Sequence, residues 1–199
     1  MKIVLIGASG TLGRAIAADL SVRHRVVSVG RHSGDFQADI RDLQSLRELF
    51  QHTDKVDAIV NAAGGVHFGP WNELTPEKFA IGLRDKLMGQ VNVVLAGQDS
   101  LSDGGSFTLT SGILSEDPIR FGACASLVNG ALESFVRAAA IELPRGLRIN
   151  IVSPTVLRES IESYGPYFPG YKPVAAADAA LAYSKSVEGH QTGQIYKVW

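Results

Sequence analysis

Lys2-Ile3-Val4-Leu5-Ile6-Gly7-Ala8-Ser9-Gly10-Thr11-Leu12-Gly13 is the stretch that decides the fold. Ile3 to Ile6 form a short apolar run of the kind found in strands buried on both faces. The run passes directly into a glycine turn, after which Leu12, Ile16 and Leu20 repeat at helical spacing. Such a turn lets backbone N–H groups approach a pyrophosphate, with the partial positive charge of a helix N-terminus behind them. Three glycines alone carry little weight. At the first strand–turn–helix of a chain they point to a dinucleotide-binding fold, the bland alternative being a glycine-rich turn that binds nothing.

Working outward, the same alternation continues. Arg25–Val29, Val56–Asn61, Ser106–Ser111, Leu147–Ser153 and Gln194–Val198 read as strands, with a weaker one at Phe36–Ala38. Leu43, Leu46 and Phe50 mark a helix face. Thr75 and Pro76 read as an N-cap and first helical position, opening a helix to about Gly97. Ala123–Leu143 and Val174–Val187 are the remaining helices. The pattern predicts one α/β domain over residues 1–199, a doubly wound parallel Rossmann sheet of about seven strands. One segment breaks the rhythm. Residues 154–173 are rich in Pro, Gly and aromatics (Tyr164, Tyr167, Phe168, Tyr171) and read as a substrate lid, or else as a surface loop packed on itself.

Composition narrows the function classes. The 199 residues are 45% hydrophobic and 20% charged, with a net charge of −1. That balance gives no electrostatic footprint for nucleic acid or an anionic membrane. No apolar run approaches the ~20 residues of a membrane span, and the N-terminus lacks the features of a signal peptide. Cys124 is the single cysteine, so no internal disulfide forms, and a cytoplasmic location is expected. The histidines, His67 included, lack metal-ligand spacing, so no metal is expected.

The end of the second strand bears on the cofactor. A carboxylate there would accept hydrogen bonds from the ribose 2′-OH of NAD. The sequence instead reads Val29-Gly30-Arg31-His32-Ser33. The Arg31 guanidinium can pair with a 2′-phosphate and Ser33 can add a hydroxyl, with His32 between them, so NADP(H) is the expected cofactor. The alternative is that Arg31 is an ordinary solvated arginine.

Beyond the glycine loop the chain resembles the short-chain dehydrogenase/reductase family over nearly its whole length. Ala38-Asp39-Ile40 looks like the segment flanking the adenine ring. Asn61-Ala62-Ala63-Gly64 matches the Asn-Ala-Gly-type motif beside the cofactor. Ser106–Ser111 looks like the strand ending in the catalytic serine, here Ser111. Arg148–Ser153 followed by Pro154, Thr155 and Val156 looks like the strand and turn that contact the nicotinamide amide. The resemblance implies a cofactor site that includes Gly7, Ser9, Gly10, Thr11, Leu12 and Gly13. The glycine spacing is nearer the extended and atypical branches.

The chemistry motif departs from the family. There, a general-acid Tyr and a Lys four residues later sit on the long helix, and an Asn sits on the preceding one. Glu133, Arg137, Glu142 and Leu143 fix the register of the long helix, which puts Ala125 at the Tyr position and Asn129 at the Lys position. Lys86 stands where the family has the Asn. Lysine and asparagine are thus exchanged and the tyrosine is missing. Ser111, Lys86 and Asn129 are the candidate catalytic residues. Lys86 has the alternative of lying on the surface with its stem on apolar neighbours. Cys124 reads as a small packed residue rather than a nucleophile.

The expected function is NADP(H)-dependent oxidation or reduction of a small carbonyl or alcohol substrate, with Lys86, a lid tyrosine or water as proton source. A non-catalytic NADP(H)-binding sensor or scaffold is the second reading. A nucleotide-sugar isomerase or dehydratase is a weaker third, since the chain has no substrate domain. The small residues of the long helix (Ala125, Gly130, Ala131, Ala138, Ala139, Ala140) suggest a homodimer through that helix.

Overall fold

In a computed structural model that describes residues 1–199, seven parallel strands form one sheet in the order β3-β2-β1-β4-β5-β6-β7. The strands are β1 (Lys2–Ile6), β2 (Arg25–Gly30), β3 (Phe36–Gln37), β4 (Val56–Asn61), β5 (Leu101–Thr110), β6 (Arg148–Pro154) and β7 (Ile195–Val198). β1 pairs with β2 on one side and β4 on the other, so the chain reverses direction across the sheet between them. In open α/β sheets the crevice beyond the strand ends at such a reversal is where ligands bind.

Helices cover both faces. α1 (Thr11–Leu20) and α7 (Ala176–Glu188) lie on one, where Leu12, Ile16, Leu20, Ala179 and Tyr183 bury Ile3 and Leu5. α2 (Leu43–Thr53), α4 (Met88–Gly97) and α5 (Ala123–Glu142) lie on the other, where Leu46, Phe50, Val93, Val128 and Leu132 bury Val4 and Ile6. Successive residues of β1 thus serve opposite cores, which explains its unbroken apolar run. No helix is long and apolar enough to cross a membrane.

Thr75 caps α3 (Pro76–Gly82) with its side chain, and Pro76 occupies the first turn. The helix expected to run on to Gly97 is interrupted. Leu83–Leu87 form a π turn, in which the Met88 N–H donates to the Leu83 carbonyl five residues back. Apolar periodicity does not register the one extra residue in that turn. β5 begins at Leu101, five residues before the expected Ser106: Leu101 pairs with Val56 and Ser106 with Ala58, so the turn-like Ser102-Asp103-Gly104-Gly105 bulges out of the ladder, with Gly104 at φ +74°. Ser111 follows the end of β5, and α7 starts two residues after the expected Val174.

Residues 154–173 are not an irregular loop. Pro154 closes β6; then come a 3₁₀ turn (Arg158–Ser160), the short helix α6 (Ile161–Tyr164) and another 3₁₀ turn (Gly165–Tyr167). A bridge between Leu157 and Val174 pinches the base of the segment.

Candidate active site

The crevice has two adjoining parts. The first, about 290 Å³, is lined by Gly7, Ser9 and Gly10 after β1, by Gly30 and Arg31 after β2, by Ala38 and Ile40, and by Ala62, Ala63, Gly64 and Gly65 after β4. Its tightness comes from backbone. Gly7 has φ +85°, and a Cβ there would lie 2.8 Å from the Ala63 nitrogen. A Cβ on Gly13 would meet the Gly7 carbonyl oxygen at 2.0 Å. Gly10 differs: a Cβ there meets protein only at 3.4 Å, from the Gly7 oxygen, and Gly10 itself borders the crevice. Gly10 also caps α1 without a side-chain hydrogen bond, so first-turn N–H groups stay available to an anion.

Of the expected cofactor residues, Gly7, Ser9, Gly10, Arg31, Ile40, Ala62, Ala63 and Gly64 therefore converge. Leu12 and Gly13 are buried in the first turn of α1, where they pack rather than face the crevice. Thr11 opens that turn outside the lining. His32 and Asp39 border a shallow outer hollow with Arg31, Gln37, Arg41 and Ser45. Ser33 lines neither space; its backbone and hydroxyl crowd Gly30. Asn61 is buried, its Nδ2 donating to the Ala63 carbonyl at 2.8 Å and its Oδ1 without a partner.

The expectation that no carboxylate competes for Arg31 is corrected. Asp39 lies 3.9 Å from the Arg31 Nε. β3 runs parallel to β2 with Gln37 opposite Gly30, which brings Asp39 beside the end of β2. Arg41 engages Asp39 more closely, at 2.5 Å. Its hydrogen bonds hold the Asp39 carboxyl down to about 2. Arg41 therefore leaves Arg31 only loosely held, a role not foreseen from sequence.

The second part, about 230 Å³, brings Lys86, Ser111 and Asn129 together with Pro154, Thr155 and Val156. Its walls are otherwise mainly apolar, with Val66, Phe68, Ala125 and Phe168 among them, and with the hydroxyl-bearing Ser160 and Tyr164 at its side. Ala125, the residue expected at the tyrosine position, is among the lining residues. Lys86 points inward from the π turn, and its ammonium donates to the Ser111 backbone carbonyl at 3.0 Å. Desolvation pulls Lys86 down to about 8 from 10.5, while the nearby Glu133 charge resists. Gly64 marks the seam between the parts: a Cβ on it would sit 2.9 Å from the Lys86 Cα.

Asn129 donates through Nδ2 to the Gly112 carbonyl at 3.2 Å, leaving its buried Oδ1 without a partner. The Thr155 hydroxyl is likewise buried and unpartnered. Glu133, read in the sequence only as a register marker, is buried beneath the site. Its Oε1 accepts from the Ser111 Oγ at 2.9 Å and from the Ser115 Oγ at 2.7 Å. Asp85 was also missed. It lines the first part, with Oδ2 accepting from the Gly65 N–H at 3.3 Å.

The 154–173 segment folds over the second part. Tyr164 meets the Phe68 ring edge-on at 6.0 Å and lines the cavity. Tyr167 packs on Phe121 at 6.2 Å and borders an outer cavity instead, which removes it as a proton source.

Known proteins agree with this architecture. The family model described as enoyl-(acyl carrier protein) reductase matches residues 12–189. A crystal structure of a Listeria innocua protein is 54% identical, with TM-score 0.98 and full coverage of both chains. A small-chain dehydrogenase in complex with NADPH is 25% identical, with TM-score 0.88 over 100% of this chain and 96% of that one. A versicolorin reductase of Emericella nidulans is 28% identical over 183 residues, covering 79% of this chain and 69% of the reductase. With the glycine crevice at the sheet reversal and a family match across nearly its whole length, the chain belongs to the short-chain dehydrogenase/reductase family of NAD(P)-linked oxidoreductases.

Proposed function

We propose that the protein is an NADP(H)-dependent oxidoreductase of a small carbonyl or alcohol substrate, with Lys86 replacing the family's tyrosine as proton donor. The observation that carries this is the Lys86 ammonium, set in the cavity that adjoins the glycine crevice and bound to a backbone carbonyl rather than a carboxylate. The residues present fit NADP(H). Gly10 leaves open space where a pyrophosphate would pass, and Arg31 offers a cation at the outer end. The buried unpartnered oxygens of Asn129 and Thr155 call for hydrogen-bond donors of the kind a ribose or a carboxamide carries. When bound, the cofactor supplies or accepts the hydride.

The protein's own groups do the rest. The Lys86 ammonium meets the developing oxyanion and gives it a proton; in the oxidative direction the free amine removes one. Gly64 and the Ser111 carbonyl hold the lysine stem and head in place. Phe68, Tyr164 and Phe168 exclude water from the reacting centre, the lid role proposed for 154–173. The NADPH complex of a relative supports the cofactor assignment.

The molecule is proposed to act in the cytoplasm as a homodimer. Exposed Met88 and Leu95 on α4, with Leu127 and Ile141 on α5, give those helices an apolar outer surface. The small-residue stripe is not that surface in full, since Ala125 is buried at the cavity. Consumption of NADPH with a panel of aldehydes and ketones, followed by nicotinamide absorbance, tests the function. No turnover with intact NADPH binding would favour the sensor reading, and light scattering tests the dimer.

A further inference from the structure

The proton of Ser111 is committed away from the cavity. Two acceptors lie within reach of its Oγ, and both are protein groups in the interior: Glu133 Oε1 at 2.9 Å and the Val152 carbonyl at 3.5 Å. The shorter bond goes to a buried carboxylate, which also accepts from Ser115. Charge-assisted hydrogen bonds of this kind are about twice as strong as neutral ones. A hydroxyl has one proton and two lone pairs. With the proton spent on Glu133, Ser111 presents lone pairs to the space it lines. It cannot at the same time donate to a substrate carbonyl.

Of the polar side chains that line the cavity, Lys86 and Ser111 thus have fixed roles, whereas the Thr155, Ser160 and Tyr164 hydroxyls can turn either way at the edge of the cavity. Lys86 is its cation and its strong donor. Ser111 Oγ is an acceptor. Asn129 adds a second oxygen without a partner, one of its two amide N–H groups being engaged by the Gly112 carbonyl. A plain ketone satisfies Lys86 and leaves the acceptor of Ser111 dry. A substrate that places a hydroxyl next to its carbonyl satisfies both.

We propose that Glu133 is a positioning residue that fixes Ser111 as a hydrogen-bond acceptor toward the cavity, and that the substrate class is accordingly a hydroxy-carbonyl compound or the corresponding diol. This rests on the oxidoreductase reading above. The carbonyl oxygen faces Lys86 and the neighbouring hydroxyl donates to Ser111. The apolar walls formed by Val66, Phe68, Ala125 and Phe168 suit a compact hydrocarbon frame carrying these two oxygens.

The test uses a matched pair, 2-hydroxycyclohexanone and cyclohexanone, with NADPH and the unmodified protein. The hydroxy-ketone is expected to be favoured at least about tenfold in kcat/KM, because a site built to hydrogen-bond a hydroxyl rejects the analogue lacking it. Equal kcat/KM values, or preference for cyclohexanone, overturn the inference while leaving the oxidoreductase reading intact. Should neither ketone turn over, the Kd values of the pair on NADP⁺-loaded protein, measured by ligand-observed NMR, decide in the same way. Ser111→Ala is expected to collapse the ratio of the two ketones. Glu133→Leu frees the Ser111 proton and should move the ratio toward cyclohexanone, whereas Glu133→Gln, which keeps an acceptor oxygen, should retain it. A ratio insensitive to both Ser111→Ala and Glu133→Leu would overturn the assignment even if the parent protein shows the preference.

Discussion

The two halves of the crevice are made of different material. In the first, eight of the thirteen lining residues are glycine or alanine, so backbone shapes the space. In the second, long side chains from separate segments converge: Lys86 from the π turn, Asn129 from α5, Phe68 from the stretch after β4, Tyr164 and Phe168 from residues 154–173. The backbone half is a property of the fold and changes only with it. The side-chain half can be rewritten residue by residue, as the expected exchange of lysine and asparagine requires.

The largest expected effect separates the halves directly. Lys86→Met keeps the stem and removes the charge. It should lower turnover by roughly 10²–10⁴-fold, the usual worth of a positioned acid, while NADPH affinity stays within about threefold. Steady-state kinetics with a binding titration reads both. Loss of affinity instead would make Lys86 a ribose ligand.

Within the backbone half, Gly10 and Gly13 should behave differently. Gly10→Val places its side chain in open crevice, so the protein should fold normally and lose NADPH affinity by about 100-fold or more. Gly13→Val drives a side chain into the Gly7 carbonyl, costing on the order of 3 kcal/mol and lowering Tm by roughly 6–12 °C. Thermal melts and titrations of the two variants distinguish them. Native NADPH affinity in a folded Gly10→Val protein would misplace the phosphate site.

Arg31→Ala should reduce the preference for NADPH over NADH by about tenfold or more, from a charge-assisted contact worth roughly 1.5–3 kcal/mol. Asp39→Asn should strengthen that preference by a few fold, because it removes the carboxylate 3.9 Å from Arg31. Dissociation constants for both cofactors check the pair.

The pH profile probes the other half. Lys86 has a folded-state value near 8, below its ordinary 10.5, so its donating form persists below that pH and is lost above it. The kcat/KM for reduction should be level up to about pH 8 and then fall about tenfold per unit, with oxidation rising over the same range. The smallest effect is expected within residues 154–173: Tyr164→Phe should change kcat/KM by no more than about threefold, since it is the ring that packs on Phe68 at the cavity. A loss comparable to that of Lys86→Met would transfer the proton donor to Tyr164.

How much of this was legible follows the same division. The strand–turn–helix at Lys2–Gly13 announced the sheet, and of the motif residues Ala62, Ala63 and Gly64 line the first part of the crevice and Pro154, Thr155 and Val156 the second, because backbone-shaped sites leave a contiguous trace in sequence. Asn129 could be placed because Glu133, Arg137, Glu142 and Leu143 fix the register of its helix, whereas the placement of Lys86 rests on resemblance and the π turn around it left no mark in the apolar pattern. Glu133 was visible but mute: its partners Ser111 and Ser115 lie 22 and 18 residues away, and nothing local marks a carboxylate as buried. Arg41 was hidden in the same way, since its effect on Arg31 passes through Asp39.

The π turn at Leu83–Leu87 carries a consequence for how Lys86 tolerates changes in chain length. Lys86 lies only two residues before α4, so its aim is set by its phase with that helix. Loss of one position between Leu83 and Asp85 would tighten the turn toward regular α geometry and leave that phase intact. Loss of Leu87 would instead turn Lys86 by about 100° against α4 and carry its ammonium away from the Ser111 carbonyl.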